Sequence, residues 1–204
     1  MSDKVVANYI EEHFVCNFQK VSSFSVLERK SWHGKHSTKV GGNVAAYFCL
    51  PDGRVIHAVA GPVTPQLLLN EARWVVDLHN MAMLESDNKE AAYSRFLREA
   101  HVERLLVEHG IDLTRVVPIE MSASKLASIR RTARQQEFFQ KQRNLASPRK
   151  SHATLVDTTK RYQWKVHQLL VENPLPPLGQ IYKPVFESIL NQNISTVPVN
   201  VVER

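Results

Sequence analysis

The sequence predicts an α/β chain in which helix, strand, antiparallel hairpin and helix follow in order, with an α-helical region after them. Three observations predict it. Within "AYFCLPDGRVIHAVAGPV", two β-forming runs flank Pro51-Asp52-Gly53, a triplet supplying the fixed φ, the side-chain acceptor and the permissive glycine that a tight turn needs. Thr64-Pro65 then opens a long apolar-periodic stretch, with Thr as N-cap and Pro at the first helical position, where its missing N–H costs nothing. From Ala91 onward, helix-forming runs alternate with Gly and Pro breakers.

Taken in order, Ser2 or Asp3 caps a first helix whose apolar positions Val6, Ile10 and Phe14 recur at spacing four. "FVCNFQKV" is dense enough in β-formers for a short strand. Residues 22–43 keep no sustained period and end in Gly41-Gly42, which predicts a mostly irregular connection with one helical turn around Val26 to Lys30. Residues 44–50 and 54–60 form the hairpin, and Gly61-Pro62 ends it. The helix expected over 65–84 carries Leu68, Ala72, Val75, Val76, His79 and Met83 on one face, broadened by Trp74 and Leu78. Further helices are expected over 91–109, closed by Gly110, over 122–145, and over 158–172. A proline-rich elbow, "ENPLPPLGQIYKP", precedes a last short helix in "VFESILNQNI".

Composition narrows the function classes. A hydrophobic share of 43% and a charged share of 23% are those of an ordinary globular chain. No apolar run reaches the roughly 18 residues of a membrane span, so no membrane partner is expected. "MSDKVVANYIEEHF" lacks the basic start and apolar block of a secretory leader, which points to the cytoplasm if Met1 is the true start. The net charge of +6 is uneven: eleven Lys or Arg stand against Glu137 and Asp157 between positions 121 and 165, a local +9 that leaves −3 elsewhere. No Walker loop, GxGxxG, Ser-His-Asp order or paired carboxylate motif is present, and no cofactor is expected.

Helix, strand, connection, PDG hairpin and closing helix is an order that resembles the C-terminal part of a thioredoxin-like fold. "VVANYIEEHFVCNFQKV" is similar to that family's helix and following strand, in the style of bacterial thioredoxin-domain proteins, and "AYFCLPDGRVIHAVAGPV" with "TPQLLLNEARWVVD" is similar to its hairpin and last helix. The resemblance implies a partial thioredoxin-like domain over 1–84, followed by a helical extension over 85–204 with its basic segment at 121–165. It also implies what is missing. The family's CxxC lies at the N-terminus of the helix before the strand, where the helix end lowers a thiol pKa, and no CxxC occurs here. The position corresponding to the family's cis-proline, counted back from Gly53, is Val44. The expected function is therefore a redox-inactive module acting in binding or assembly, with a protein as its expected partner. The alternative is a thiol-disulfide oxidoreductase whose CxxC lies upstream of Met1.

The individual candidates follow from residue type. Cys16 and Cys49 are candidate redox thiols, or small buried hydrophobes. His33 and His36 in "WHGKH", with His57, have the residue type of metal ligands, but no Cys or acid stands at ligand spacing and no metal is expected. Lys125, Arg130, Arg131, Arg134, Lys141 and Arg143 interleave with Phe138-Phe139 on one predicted helix. Cations that neutralise phosphates and aromatics that stack on bases make this a candidate surface for a polyanion or nucleic acid.

Overall fold

The computed structural model describes residues 3–19, 24–31, 34–41, 43–87, 89–115, 121–146, 155–194 and 202–203, with the backbone alone for 24–31, 34–41, 115, 142–146, 155–160 and 202–203. The elements are α1 (Lys4–His13), β1 (Phe24–Ser31), β2 (Gly34–Gly41), β3 (Ala45–Cys49), β4 (Val55–Ala60), α2 (Pro65–Ser86), α3 (Glu90–His109), a 3-10 turn (Leu113–Arg115), α4 (Ala123–Ala146), α5 (Leu155–Glu172), α6 (Leu178–Pro184) running into a π-turn (Val185–Ile189), and β5 (Val202–Glu203). The chain is mixed α/β and mostly helical, as expected. Among the described residues no helix is long and apolar enough to cross a membrane.

The central hairpin forms where the sequence places it. β3 pairs antiparallel with β4 from Ala45↔Ala60 to Cys49↔Val55. Asp52 accepts the Arg54 amide at 3.0 Å, and Gly53 takes φ +83°. A Cβ built on Gly53 would meet nothing within 4 Å, so a substitution there costs backbone energy alone. Gly53→Val is expected to lower stability by about 1–2 kcal/mol, read as a shift of the urea midpoint at constant slope. Gly61 differs: at φ +87° its missing Cβ leaves room for the Tyr162 ring, which would lie 3.0 Å away.

Asp3 caps α1 by accepting from the Val5 and Val6 amides. Thr64 caps α2, and Gly110 closes α3 in the left-handed region, each as the sequence predicts. Three expectations fail. Residues 14–19 form no strand, and Val15 and Phe18 are exposed. β-propensity alone does not hold a strand that has no ladder partner. The connection expected to be irregular, with a helical turn at Val26 to Lys30, instead contains the β1–β2 hairpin, in register from Phe24↔Gly41 to Ser31↔Gly34, with β5 parallel to β1. Its signal is a handful of β-formers at spacing two, Phe24 and Val26 on one strand, Thr38 and Val40 on the other. The elbow is also shorter than expected, because helix resumes at Leu178.

All six residues of β4 are buried, because helices cover the two-stranded sheet on both sides. One core gathers Phe48, Ile56 and Val59 with Ala72, Val75 and Leu78 of α2 and Leu97 of α3. The other gathers Val55, Ala58 and Ala60 with Val166 and Leu170 of α5, Ile181 of α6 and Phe186 of the π-turn. The Val55 amide donates to the Pro176 carbonyl at 2.8 Å, and the Leu178 amide donates to the Gly53 carbonyl at 3.0 Å. The segment before α6 is thereby tied to the edge of the hairpin.

Candidate functional site

Two places gather chemistry-bearing side chains. The first lies between the sheet and the helices. β4 contributes His57, α2 contributes Glu71 and Trp74, α3 contributes His101 and Arg104, and α5 contributes Gln163 and His167. Helical spacing explains the placement: His101 belongs to the row Tyr93, Leu97, His101, Leu105, and His167 to the stripe Gln163, Val166, His167, Leu170, Val171. Both histidines thus occupy positions that the pattern reserves for core residues. His57, His101 and His167 are 0%, 1% and 0% exposed.

The hydrogen bonds assign the tautomers. His101 Nε2–H donates to the Ile56 carbonyl at 2.9 Å, leaving its Nδ1 as a lone pair. That Nδ1 lies 2.8 Å from Nδ1 of His167. His57 Nε2 lies 3.1 Å from Glu71 Oε2 and also 3.1 Å from the Gln163 amide nitrogen. Since that amide donates to the Ala58 carbonyl at 2.8 Å and Glu71 is ionised, Nε2 of His57 carries the proton and donates it to the carboxylate. Nδ1 of His57 is left as a buried lone pair with no hydrogen-bond partner among the described residues.

Glu71 is held in turn by Arg104, which reaches both of its oxygens, Nη2 at 3.0 Å from Oε1, and lies 4.4 Å from the centre of the Trp74 ring. Burial raises the Glu71 pKa, but His57 and Arg104 outweigh it and hold the carboxyl at about 2. Burial lowers all three imidazoles. His101 falls to about 3, with the nearby His57 adding to the effect, and His167 falls well below its ordinary value. His57 is lowered by burial despite the opposing pull of Glu71. All three rings are neutral at pH 7.

The second place is α4. Ile129 is its one buried side chain among those described, and every described side chain from Arg134 through Lys141 is exposed, Phe138 and Phe139 at 57% and 61%. The six cations predicted on this helix divide by role. Lys125 pairs with Glu99 at 2.6 Å, and Arg130 donates to Asp112 at 3.0 Å, so both fasten α4 to the body. Lys141 pairs with Glu137 one turn back. Arg131 and Arg134 have no ion-pair partner among the described residues and line an open groove with Phe138 and Phe139. The Arg143 side chain lies outside the described residues.

The thiol candidates stay apart from both places. Cys16 is exposed in the irregular segment after α1, and Cys49 is half-buried on β3, where burial raises its pKa away from reactivity. Val44 precedes β3 and is half-exposed, its carbonyl accepting from the Gly61 amide at 2.8 Å. Of the histidines that the sequence marks, His33 lies outside the described residues, and His36 sits on β2 with its backbone alone described. His57 joins partners that sequence reasoning misses, His101 and His167 being 66 positions apart. No protein-family model, curated protein or solved structure matches this chain.

Proposed function

We propose that the chain is a redox-inactive, thioredoxin-like module that works by binding, with α4 as its docking surface for single-stranded nucleic acid. The observation that carries this reading is the exposed face on which Arg131 and Arg134, without ion-pair partners among the described residues, stand beside Phe138 and Phe139. A guanidinium releases a counterion for each phosphate it neutralises, and a phenyl ring offers any base a stacking surface. The hairpin followed by a packed helix supports the thioredoxin-like part, and the sequence holds no CxxC to support redox turnover. The partner is a protein or a nucleic acid, and the aromatic pair favours the latter.

Fluorescence titration of labelled single-stranded DNA at several salt concentrations tests this reading. Arg131→Gln with Arg134→Gln is expected to weaken binding and to flatten the salt dependence by about one unit of log–log slope for each phosphate no longer neutralised. Phe138→Ala with Phe139→Ala is expected to weaken binding to DNA while leaving heparin, which has no bases, unaffected. Binding that all four substitutions leave unchanged would make the basic face a solvated surface only.

A further inference from the structure

Two imidazole Nδ1 atoms 2.8 Å apart, as in His101 and His167, need something positive between them, either a shared hydrogen or a common cation. A hydrogen satisfies that one pair. It leaves Nδ1 of His57, across the cluster, buried without a hydrogen-bond partner among the described residues, a situation that a folded core ordinarily avoids. The ring centres lie 5.1 Å apart for His57–His167, 5.1 Å for His101–His167 and 5.6 Å for His57–His101. One ring nitrogen from each residue falls within 4.8 Å of the others.

We propose that His57, His101 and His167 form a site for one divalent transition-metal ion of the zinc class. Nδ1 is the available ligand atom of His57 and of His101, since Nε2 of each is committed elsewhere. Metal–nitrogen bonds of about 2.0–2.1 Å in a tetrahedral ion place ligand nitrogens about 3.3 Å apart. The 2.8 Å pair must therefore open by about 0.5 Å, and nitrogens up to 4.8 Å apart must close by at most about 1.5 Å. The surroundings have the form of a metal site's outer shell. His57 donates its distal N–H to the Glu71 carboxylate and His101 donates its own to the Ile56 carbonyl, the two arrangements that orient ligating imidazoles and raise their basicity. Arg104 fixes Glu71 from the far side.

The ligand set selects the metal class. Three neutral imidazoles suit zinc, cobalt, nickel and copper, whereas magnesium and calcium require oxygen donors. The fourth position of a tetrahedral ion falls to a water or hydroxide, or to His109, whose ring centre lies 6.0 Å from that of His167. The ion joins β4, α3 and α5, which makes it a fastening between the sheet and two helices. This site is independent of α4, so the DNA titration and the metal experiment fail separately.

The test uses the full chain, stripped with a chelator and titrated with Co(II) and then Zn(II). One Co(II) per chain, the visible absorption of a four-coordinate ion, its displacement by Zn(II), and a rise in melting temperature of about 5 °C or more are expected. X-ray absorption of the zinc-loaded wild type is expected to show an imidazole-dominated shell, a readout that needs no variant to fold. His57→Gln and His167→Gln are each expected to weaken Co(II) binding at least tenfold, whereas His33→Gln with His36→Gln leaves it unchanged. Absence of stoichiometric binding by the wild type, a shell of sulfur or carboxylate donors, or binding that survives loss of His57 and His167 together would overturn the proposal.

Discussion

With chelator present, the protein is expected to lose stability as the pH falls below 6.5, by up to about 1 kcal/mol per pH unit for each buried ring that stays neutral while the unfolded chain takes up its proton. The folded pKa of all three is depressed below the ordinary 6.5, to about 3 for His101. The unfolded chain therefore takes up protons first, and acid favours unfolding. The contribution is fully present above pH 6.5 and is lost progressively as the pH falls towards the folded values. Glu71 acts in the same direction at lower pH: folded at about 2 and ordinarily at 4.5, its contribution is present above 4.5 and is lost between 4.5 and 2. The charged groups acting on the imidazoles are Glu71, Arg104 and Glu108, and His109 adds to the effect on His167. Urea midpoints measured with chelator at pH 7.5, 6.5 and 5.5 check the loss, and a flat series would show that the rings are not buried in neutral form.

Glu71→Leu is expected to be among the most damaging single substitutions, costing about 3 kcal/mol, because a largely buried guanidinium then keeps only one of its two carboxylates, Glu108 at 2.6 Å. The Glu71 side chain is 5% exposed and that of Arg104 16%, so water does not take the carboxylate's place. His57 loses the acceptor for its N–H at the same time. The cost belongs to the broken pair, so Glu71→Leu combined with Arg104→Leu should be distinctly more stable than Glu71→Leu alone. Denaturant melts of the two single variants and the double variant close this cycle. A double variant no better than Glu71→Leu would mean that the carboxylate acts mainly through His57.

The central hairpin and the helices other than α6 are legible in the sequence because their signals are local. Asp3, Thr64 and Gly110 cap where caps are expected, and Pro51-Asp52-Gly53 turns the chain where a turn is expected. The β1–β2 hairpin escapes because its alternation is short and rich in charge, which a period count takes for a loop. The histidine cluster is illegible for a different reason. Its members sit at ordinary core positions of three separate elements, and nothing local distinguishes His101 in the row Leu97, His101, Leu105 from a packing residue. Glu71 is the one hint that helical spacing offers, since it falls on the same face as Ala72, Val75 and Leu78, and a carboxylate on a buried helix face implies a partner. On α4 the sequence marks the basic residues but does not separate Arg131 and Arg134 from Lys125 and Arg130, which depends on where Glu99 and Asp112 fall in three dimensions.

The sharing of β4 between two cores sets an order of events during synthesis. Ala60 leaves the ribosome roughly 125 residues before Val185 and Phe186, which at about 5–20 residues per second is a wait of roughly 6–25 s. α2 emerges early and covers one side of the strand. The side formed by Val55, Ala58 and Ala60 has no cover until α5 and α6 arrive. For those seconds the nascent chain carries an apolar two-stranded ribbon, a natural client for a holdase chaperone and the stage at which crowded polysomes would lose it to aggregation.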